Sequence, residues 1–466
     1  MSTKVMTAEE LVGRMERMPF SKLHKKVFTL TAAGYLFDAF DIMLLSFVMP
    51  AMAKDLGMTP VQIGFAFSIS FLGMFVGALG GGILADKFGR LTMFKVTLLS
   101  FSIATFATGF IQSYEMLLVM RLITGLGMGA EQPVVFTYNS EMMPSEYRGR
   151  LNGLVEALWG GGVLTAAGVA LWLVPTYGWR AAFFSGVVPA LLIWFLRKGI
   201  PESPRWFMVK GDPKAAEAQL VMMEQEIEQE MGQKLPEPQP VAKINTESGN
   251  KMAVIFKPNY IRRTMMLWIL WFCLMFGYWG LNTWLPTLLK NMGYSTFASI
   301  GYVLVMNLVW IPSGLLGSYL ADKIGRKMPI TVYLIMAGIT GVLYGYALTH
   351  KLPVEMMLAC GSLSVFFLAG AYSVVYAYTP ENYPTEVRGT GTGTAMSWGR
   401  IGGILAPTVV GFLYPLIGLS MTLTIVSLGF VLAALSVAFL GTETKGKNLE
   451  ACSPDNPAAC EPGAAD

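Results

Sequence analysis

Ala85-Asp-Lys-Phe-Gly-Arg90 and Ala321-Asp-Lys-Ile-Gly-Arg326 are one phrase written twice, and a second shared phrase follows each copy: Glu141-Met-Met-Pro-Ser-Glu-Tyr-Arg-Gly149 and Glu381-Asn-Tyr-Pro-Thr-Glu-Val-Arg-Gly389. The copies are offset by 236 and 240 residues in a chain of 466, so the sequence reads as two related halves. Each phrase fills a short polar gap between long apolar runs. The phrases are therefore loops joining membrane-spanning helices.

The rest of the composition agrees. The chain is 54% hydrophobic and only 14% charged, with a mean hydropathy of +0.52; a soluble protein of this size carries far more surface charge. Apolar runs of about 20 residues, enough to cross ~30 Å of hydrocarbon, predict spans near 27–49, 62–85, 93–112, 115–138, 151–173 and 180–199. A second set is predicted near 263–289, 296–320, 329–348, 354–378, 391–413 and 419–440. The expected fold is an all-α membrane protein with twelve transmembrane helices in two pseudo-symmetric six-helix bundles. Its parts are an N-terminal segment 1–26, a first bundle 27–199, a central loop 200–262, a second bundle 263–440 and a tail 441–466.

Lys and Arg set the expected orientation. The N-terminal segment, the central loop, the other loops of that face and the tail hold 28 of them, against Lys54, Arg180, Lys290 and Lys351 on the other face. Both termini and the central loop are expected in the cytoplasm, and the net charge of +4 follows from this bias without implying nucleic acid. The first apolar run follows 26 polar-rich residues without a small-residue cleavage pattern, so it is expected to remain as the first helix. Cys273 and Cys360 fall in spans and Cys452 and Cys460 in the tail, a spacing that suggests neither metal nor disulfide. No cofactor or metal is expected. No nucleophile–base constellation lies in the spans, so no catalytic residue and no enzymatic role are expected.

The central loop contains Asp212-Pro213, an N-cap and first-turn proline, ahead of a helix predicted over Lys214–Met231. Pro236-Glu-Pro-Gln-Pro240 then ends it. Thr7–Phe20 has the pattern of a short interfacial helix.

In the repeated loops, an Asp can sit near a helix end and an Arg near an acidic partner. Asp86, Arg90, Asp322 and Arg326 are expected to pair with Glu141, Glu146, Arg148, Glu381, Glu386 and Arg388, forming charged gates. Arg121, Gly125 and Gly129 continue into Glu131 along the fourth span, the glycines four apart as a close-packed face requires.

Ionisable groups inside spans cost about 2.5–3.5 kcal/mol each and usually face water or a partner. They are Asp38, Asp41, Arg121, Glu131, Glu156 and Arg400. Asp38 and Asp41 share a helix face; with Glu131 they are the candidate proton carriers, or else part of a fixed pair with Arg121. Arg400 can hold a carboxylate in a bidentate fork, snorkel toward headgroups, or pair with Glu381. Tyr278, Asn282, Trp284 and Tyr376 belong to aromatic walls with polar ends that suit a flat ring. His24 and His350 lie outside the predicted spans.

The two loop phrases, with Pro201-Glu-Ser-Pro-Arg-Trp206 and Thr442-Glu-Thr-Lys-Gly446, resemble the major facilitator superfamily. Leu36-Phe-Asp-Ala-Phe-Asp41, Tyr260-Ile-Arg262, Trp271-Phe-Cys273, Tyr376-Ala-Tyr-Thr-Pro-Glu381 and Gly399-Arg-Ile-Gly-Gly403 are similar to bacterial nicotinate transporters. Asp38-x-x-Asp41 also resembles the helix-one motif of aromatic-acid:proton symporters, with Ala39 in place of glycine. The resemblance implies proton-coupled, alternating-access import of nicotinate or a related small aromatic carboxylate across a bacterial inner membrane, by a monomer. Arg121 or Arg400 would hold the carboxylate. Benzoate-type acids, pyridinium zwitterions, organic cations and sugars are the alternative cargoes, and a nutrient sensor without transport is the alternative class.

Overall fold

The computed structural model describes residues 6–189, 191, 200–238, 251–383 and 387–445, and among them it is helical with no strand. The chain separates into two compact units. One comprises Met1–Val48 with Leu72–Glu247, the other Met49–Phe71 with Ser248–Asp466.

The first unit is built on α1 (Ala8–Glu16), most of α2 (Lys22–Asp55) and of α3 (Pro60–Phe88), α4 (Arg90–Thr108), α5 (Tyr114–Met142), α6 (Ser145–Tyr177), α7 (Trp179–Phe184), α8 (Pro204–Val209) and α9 (Pro213–Met231). Small residues set how closely its long helices approach. A Cβ on Gly129 of α5 would lie 2.0 Å from the Met74 carbonyl oxygen, and one on Gly77 of α3 would lie 2.2 Å from that of Leu126. The glycine ridge expected on the fourth span thus meets glycines of α3 backbone to backbone.

The short helices are capped as their sequences dictate. Thr7 accepts the Glu10 N–H at the start of α1, and Asp212 accepts the Ala215 N–H at the start of α9, with Pro213 at the first helical position. The apolar face of α1, expected to lie in the bilayer interface, is instead buried on protein: Leu11 and Met15 are covered, as are Met18 just beyond its end and Leu220, Met223 and Ile227 of α9. Ion pairs fix the contact. Arg14 reaches Glu224 at 2.5 Å, as does Arg17, and Arg205 of α8 lies 3.4 Å from Glu16.

The second unit contains α10 (Lys251–Ile255), α11 (Pro258–Asn282), α12 (Leu285–Asn291), α13 (Thr296–Asn307), α14 (Trp310–Ile324), α15 (Lys327–Thr349), α16 (Val354–Glu381) and α17 (Arg388–Leu440). Residues 49–71 join it through a 2.8 Å contact between the Ser68 and Thr408 hydroxyls. The seventh and eighth expected spans are each interrupted, where Pro286 and Pro312 withhold an N–H from the helix. The last two expected spans are two helices, together α17, that meet at a kink at Gly418, whose φ of 77° is left-handed.

Among the described residues, nine helical stretches are long and apolar enough to cross a membrane, the last of them containing both halves of α17. α5 falls outside that set, because Glu115, Arg121 and Glu131 interrupt its apolar character. The sixth expected span begins in α7 and otherwise lies mostly outside the described residues.

Candidate functional site

Thr31, Gly34, Asp38 and Asp41 align along one face of α2, at helical spacing. At the first level the Thr31 hydroxyl donates to Asn139 Oδ1 of α5 at 2.9 Å. At the last, Arg121 of α5 donates through Nη1 to Asp41 Oδ2 at 3.0 Å and through Nη2 to Thr108 Oγ1 of α4 at 2.8 Å, while the Thr105 hydroxyl donates to Asp41 Oδ1. The Phe183 ring lies 5.3 Å from the guanidinium. Asp41 and Arg121 are thus a buried, hydrogen-bonded ion pair.

The middle level is different. Asp38 and Glu131 are each 0% exposed, and none of their four carboxyl oxygens has a hydrogen-bond partner. Glu131 reaches back over Gly34: a Cβ there would stand 2.2 Å from Glu131 Oε1. Asp38 follows Gly34 by one helical turn and lies within electrostatic reach of both Glu131 and Asp41. The side chain of Glu156 on α6 lies outside the described residues.

The second unit holds rings where the first holds charge. Tyr278 of α11 is 5.8 Å from Tyr372 of α16 and 5.6 Å from Trp310 of α14. Trp271 lies 5.2 Å from Tyr376, and its indole N–H donates to Thr379 Oγ1 at 2.9 Å. Of the residues expected to meet substrate, Tyr278 and Tyr376 belong to this cluster. Asn282 donates to the Tyr278 carbonyl at 3.1 Å. Trp284 stands apart, 1% exposed, its indole N–H on the Pro407 carbonyl at 2.9 Å. Arg400 is half-buried on α17. Arg121 is committed to Asp41.

The repeated loops fold alike. Arg90 lies 2.8 Å from Asp86 and 3.2 Å from Glu141 and donates to the Ala85 carbonyl at 3.0 Å. Arg326 lies 3.3 Å from Asp322 and 3.2 Å from Glu381 and donates to the Ala321 carbonyl at 2.8 Å. Arg388 is half-buried beside the second loop; the side chains of Glu146 and Arg148, and all of Glu386, lie outside the described residues.

Each cluster includes an acid that the loop phrases alone do not reveal. Glu202 accepts the backbone N–H groups of Arg90 and Leu91, each at 3.0 Å, at the start of α4. Glu443 accepts those of Arg326 and Lys327 at 2.8 and 3.1 Å at the start of α15. Both cap helix N-termini, where a negative charge is favoured. Burial alone would push the Glu443 carboxyl up, but the N–H groups of Arg326, Lys445, Lys327 and Thr444 hold it below the usual carboxylate range. The signal was present in Pro201-Glu202 and Thr442-Glu443, each just beyond the last span of its half. Gly34, Thr105 and Thr108 carried no signal separable from ordinary helix packing.

Two helical units with the same charged turn, and ionisable groups buried within the first, define a polytopic membrane protein made by internal repetition. The sequence profile of the Major Facilitator Superfamily matches residues 31–407 and 314–453. Niacin transporter NiaP of Acinetobacter baylyi is 37% identical over 442 residues, covering 95% of this chain and 99% of that protein. A candidate niacin/nicotinamide transporter, NiaP of Bacillus subtilis, is 35% identical over 436 residues, covering 93% and 100%. The chain belongs to the major facilitator superfamily and is a multi-pass membrane transporter. The xylose transporter XylE from E. coli, in a partially occluded inward-open conformation, shares the fold at a TM-score of 0.74 and 20% identity, over 92% of this chain and 100% of that one.

Proposed function

We propose that the protein imports nicotinate or a closely related small aromatic carboxylate by proton symport and alternating access. It would do so across a bacterial inner membrane, as a monomer with both termini and the basic loops in the cytoplasm. The observation that carries the substrate is the 37% identity, over nearly the whole chain, to a protein named as a niacin transporter. The ring cluster of Tyr278, Tyr372, Tyr376 and Trp271 supports a flat aromatic cargo, since edge-to-face and offset ring contacts each add about 0.5–1.5 kcal/mol beyond area burial.

In this reading Arg400 meets the carboxylate, and Arg121 orders the proton-carrying side by holding Asp41. Tyr278 and Tyr376 flank the ring, with Asn282 at its polar edge. The Arg90–Glu141 and Arg326–Glu381 clusters open and close the cytoplasmic face. Uptake of labelled nicotinate into proteoliposomes should rise with an inward proton gradient, and benzoate, carnitine and xylose should compete more weakly than unlabelled nicotinate. Gradient-independent uptake, or better competition by xylose or carnitine, overturns the reading.

A further inference from the structure

The ring cluster of the second unit has a centre. Tyr372 of α16 meets four rings: Tyr278 at 5.8 Å, Trp310 at 5.9 Å, Tyr376 at 6.2 Å and Trp271 at 6.3 Å. Enclosed on so many sides and only 7% exposed, the phenol ring has little room to turn, and its hydroxyl points where the packing puts it. That hydroxyl donates to a sulfur, Met275 Sδ of α11, at 3.5 Å. Neighbouring donors are better matched. Trp271 gives its indole N–H to Thr379 Oγ1 at 2.9 Å, the Thr379 hydroxyl gives to the Val375 carbonyl at 2.7 Å, and Asn282 gives to the Tyr278 carbonyl at 3.1 Å. A thioether is a weak acceptor. A carboxylate oxygen would receive the same proton in a charge-assisted bond, about twice as strong as one between neutral groups.

The acceptor is also the movable partner. Met275 is half-buried, unbranched and flexible, and it lies over Gly399 of α17, where an added Cβ would stand 3.2 Å from Met275 Cγ. Arg400, the proposed carboxylate anchor, is the next residue of α17. A turn of the methionine side chain therefore frees a fixed phenol donor beside the segment that carries the guanidinium. We infer that Tyr372 is a substrate-binding residue, that its hydroxyl exchanges Met275 Sδ for an oxygen of the cargo carboxylate, and that this donor adds to the preference for an aromatic acid over its uncharged amide. The inference rests on the aromatic-carboxylate reading, and pairing each acid with its own amide keeps the two apart.

The test is binding of labelled nicotinate and nicotinamide, and of benzoate and benzamide, to the purified full chain. Tyr372→Phe keeps the ring and removes only the hydroxyl. It should weaken binding of the acid by about tenfold or more, the worth of one hydrogen bond to a charged group, and that of the amide by much less. Met275→Leu keeps the apolar volume and removes the sulfur. It should tighten acid binding, and the tightening should vanish in the Tyr372→Phe background, because the two side chains act through one hydrogen bond. A packing defect would instead weaken acid and amide alike and leave the two substitutions additive.

Equal losses for acid and amide, an acid preference that Tyr372→Phe leaves intact, or additive effects of the two substitutions overturn the assignment. If benzoate binds in place of nicotinate and Tyr372→Phe narrows the preference for benzoate over benzamide, the nicotinate reading falls and the role of Tyr372 stands. If neither acid binds the native protein, both fall.

Discussion

The α2–α5 contact and its repeat, the α11–α16 contact, can be aligned at the 240-residue offset that relates Glu141 to Glu381. Thr31–Asn139 becomes Trp271–Thr379, a hydrogen bond in both halves. Asp38 becomes Tyr278, Glu131 becomes Ala371, and Arg121 becomes Gly361. The same helix pair is thus held by buried charge in one unit and by edge-to-face rings and small residues in the other. The charged loops behave oppositely: Arg90, Glu141 and Glu202 correspond group for group to Arg326, Glu381 and Glu443. The repeat has kept its charged loops in duplicate and divided its interior, with charge on one side and aromatic surface on the other.

The strongest way to break the comparison is to leave charge unbalanced in the first unit. Arg121→Gln strands Asp41 in a dry interface and should cost about 3–5 kcal/mol, read as a lower thermal midpoint in detergent. The double variant with Asp41→Asn should recover most of the loss. A recovery of less than half would mean that Arg121 has a second essential partner.

Transplanting charge the other way is the next test. Ala371→Glu places an acid in the ring unit with no Gly34 equivalent, since Leu274 stands at that offset. It should cost at least about 2.5–3.5 kcal/mol, the insertion cost of a mid-span charge. If it is tolerated, the second unit is more polar inside than its residues indicate.

The loops should respond equally in both halves. Glu202→Gln and Glu443→Gln each weaken a charged cap on a helix N-terminus, worth about 0.5–2 kcal/mol. The two variants should lose similar stability; a large difference would show that the symmetry is only geometric.

The smallest effect concerns α1. Burial alone would push the Glu224 carboxyl up, but hydrogen bonds from Arg14 and Arg17 hold it below the usual carboxylate range. A carboxyl depressed in the folded state stabilises fully above that range and loses its contribution as the pH falls through its own lowered value. The protection of α1 amides, measured against their intrinsic exchange rate at each pH, should therefore fall on acidification below the carboxylate range, by a margin of about 1 kcal/mol or less. In Glu224→Gln that protection should be lower at neutral pH and nearly independent of acidification.

Much of the architecture was legible because membranes impose coarse rules. Length and apolarity require no knowledge of packing, and the duplicated loops announced their own clusters. The ionisable residues of the first unit were also visible, since each is an exception in an apolar run. Which aspartate takes Arg121 was not legible. Asp38 and Asp41 share a face of α2, so the choice depends on the register between α2 and α5, which no local pattern in either helix fixes. Gly34 was hidden for a related reason: a missing side chain shows its purpose only when another helix fills the space. The docking of α1 was illegible because an amphipathic face looks the same whether bilayer or α9 covers it.

The break at Gly418 joins the last two spans with a single left-handed residue. There is no linker to cut, label or lengthen at that end. Protease accessibility and tag-insertion maps should treat residues 388–440 as one block, and a split-protein design would do better to divide the chain in the long central connection.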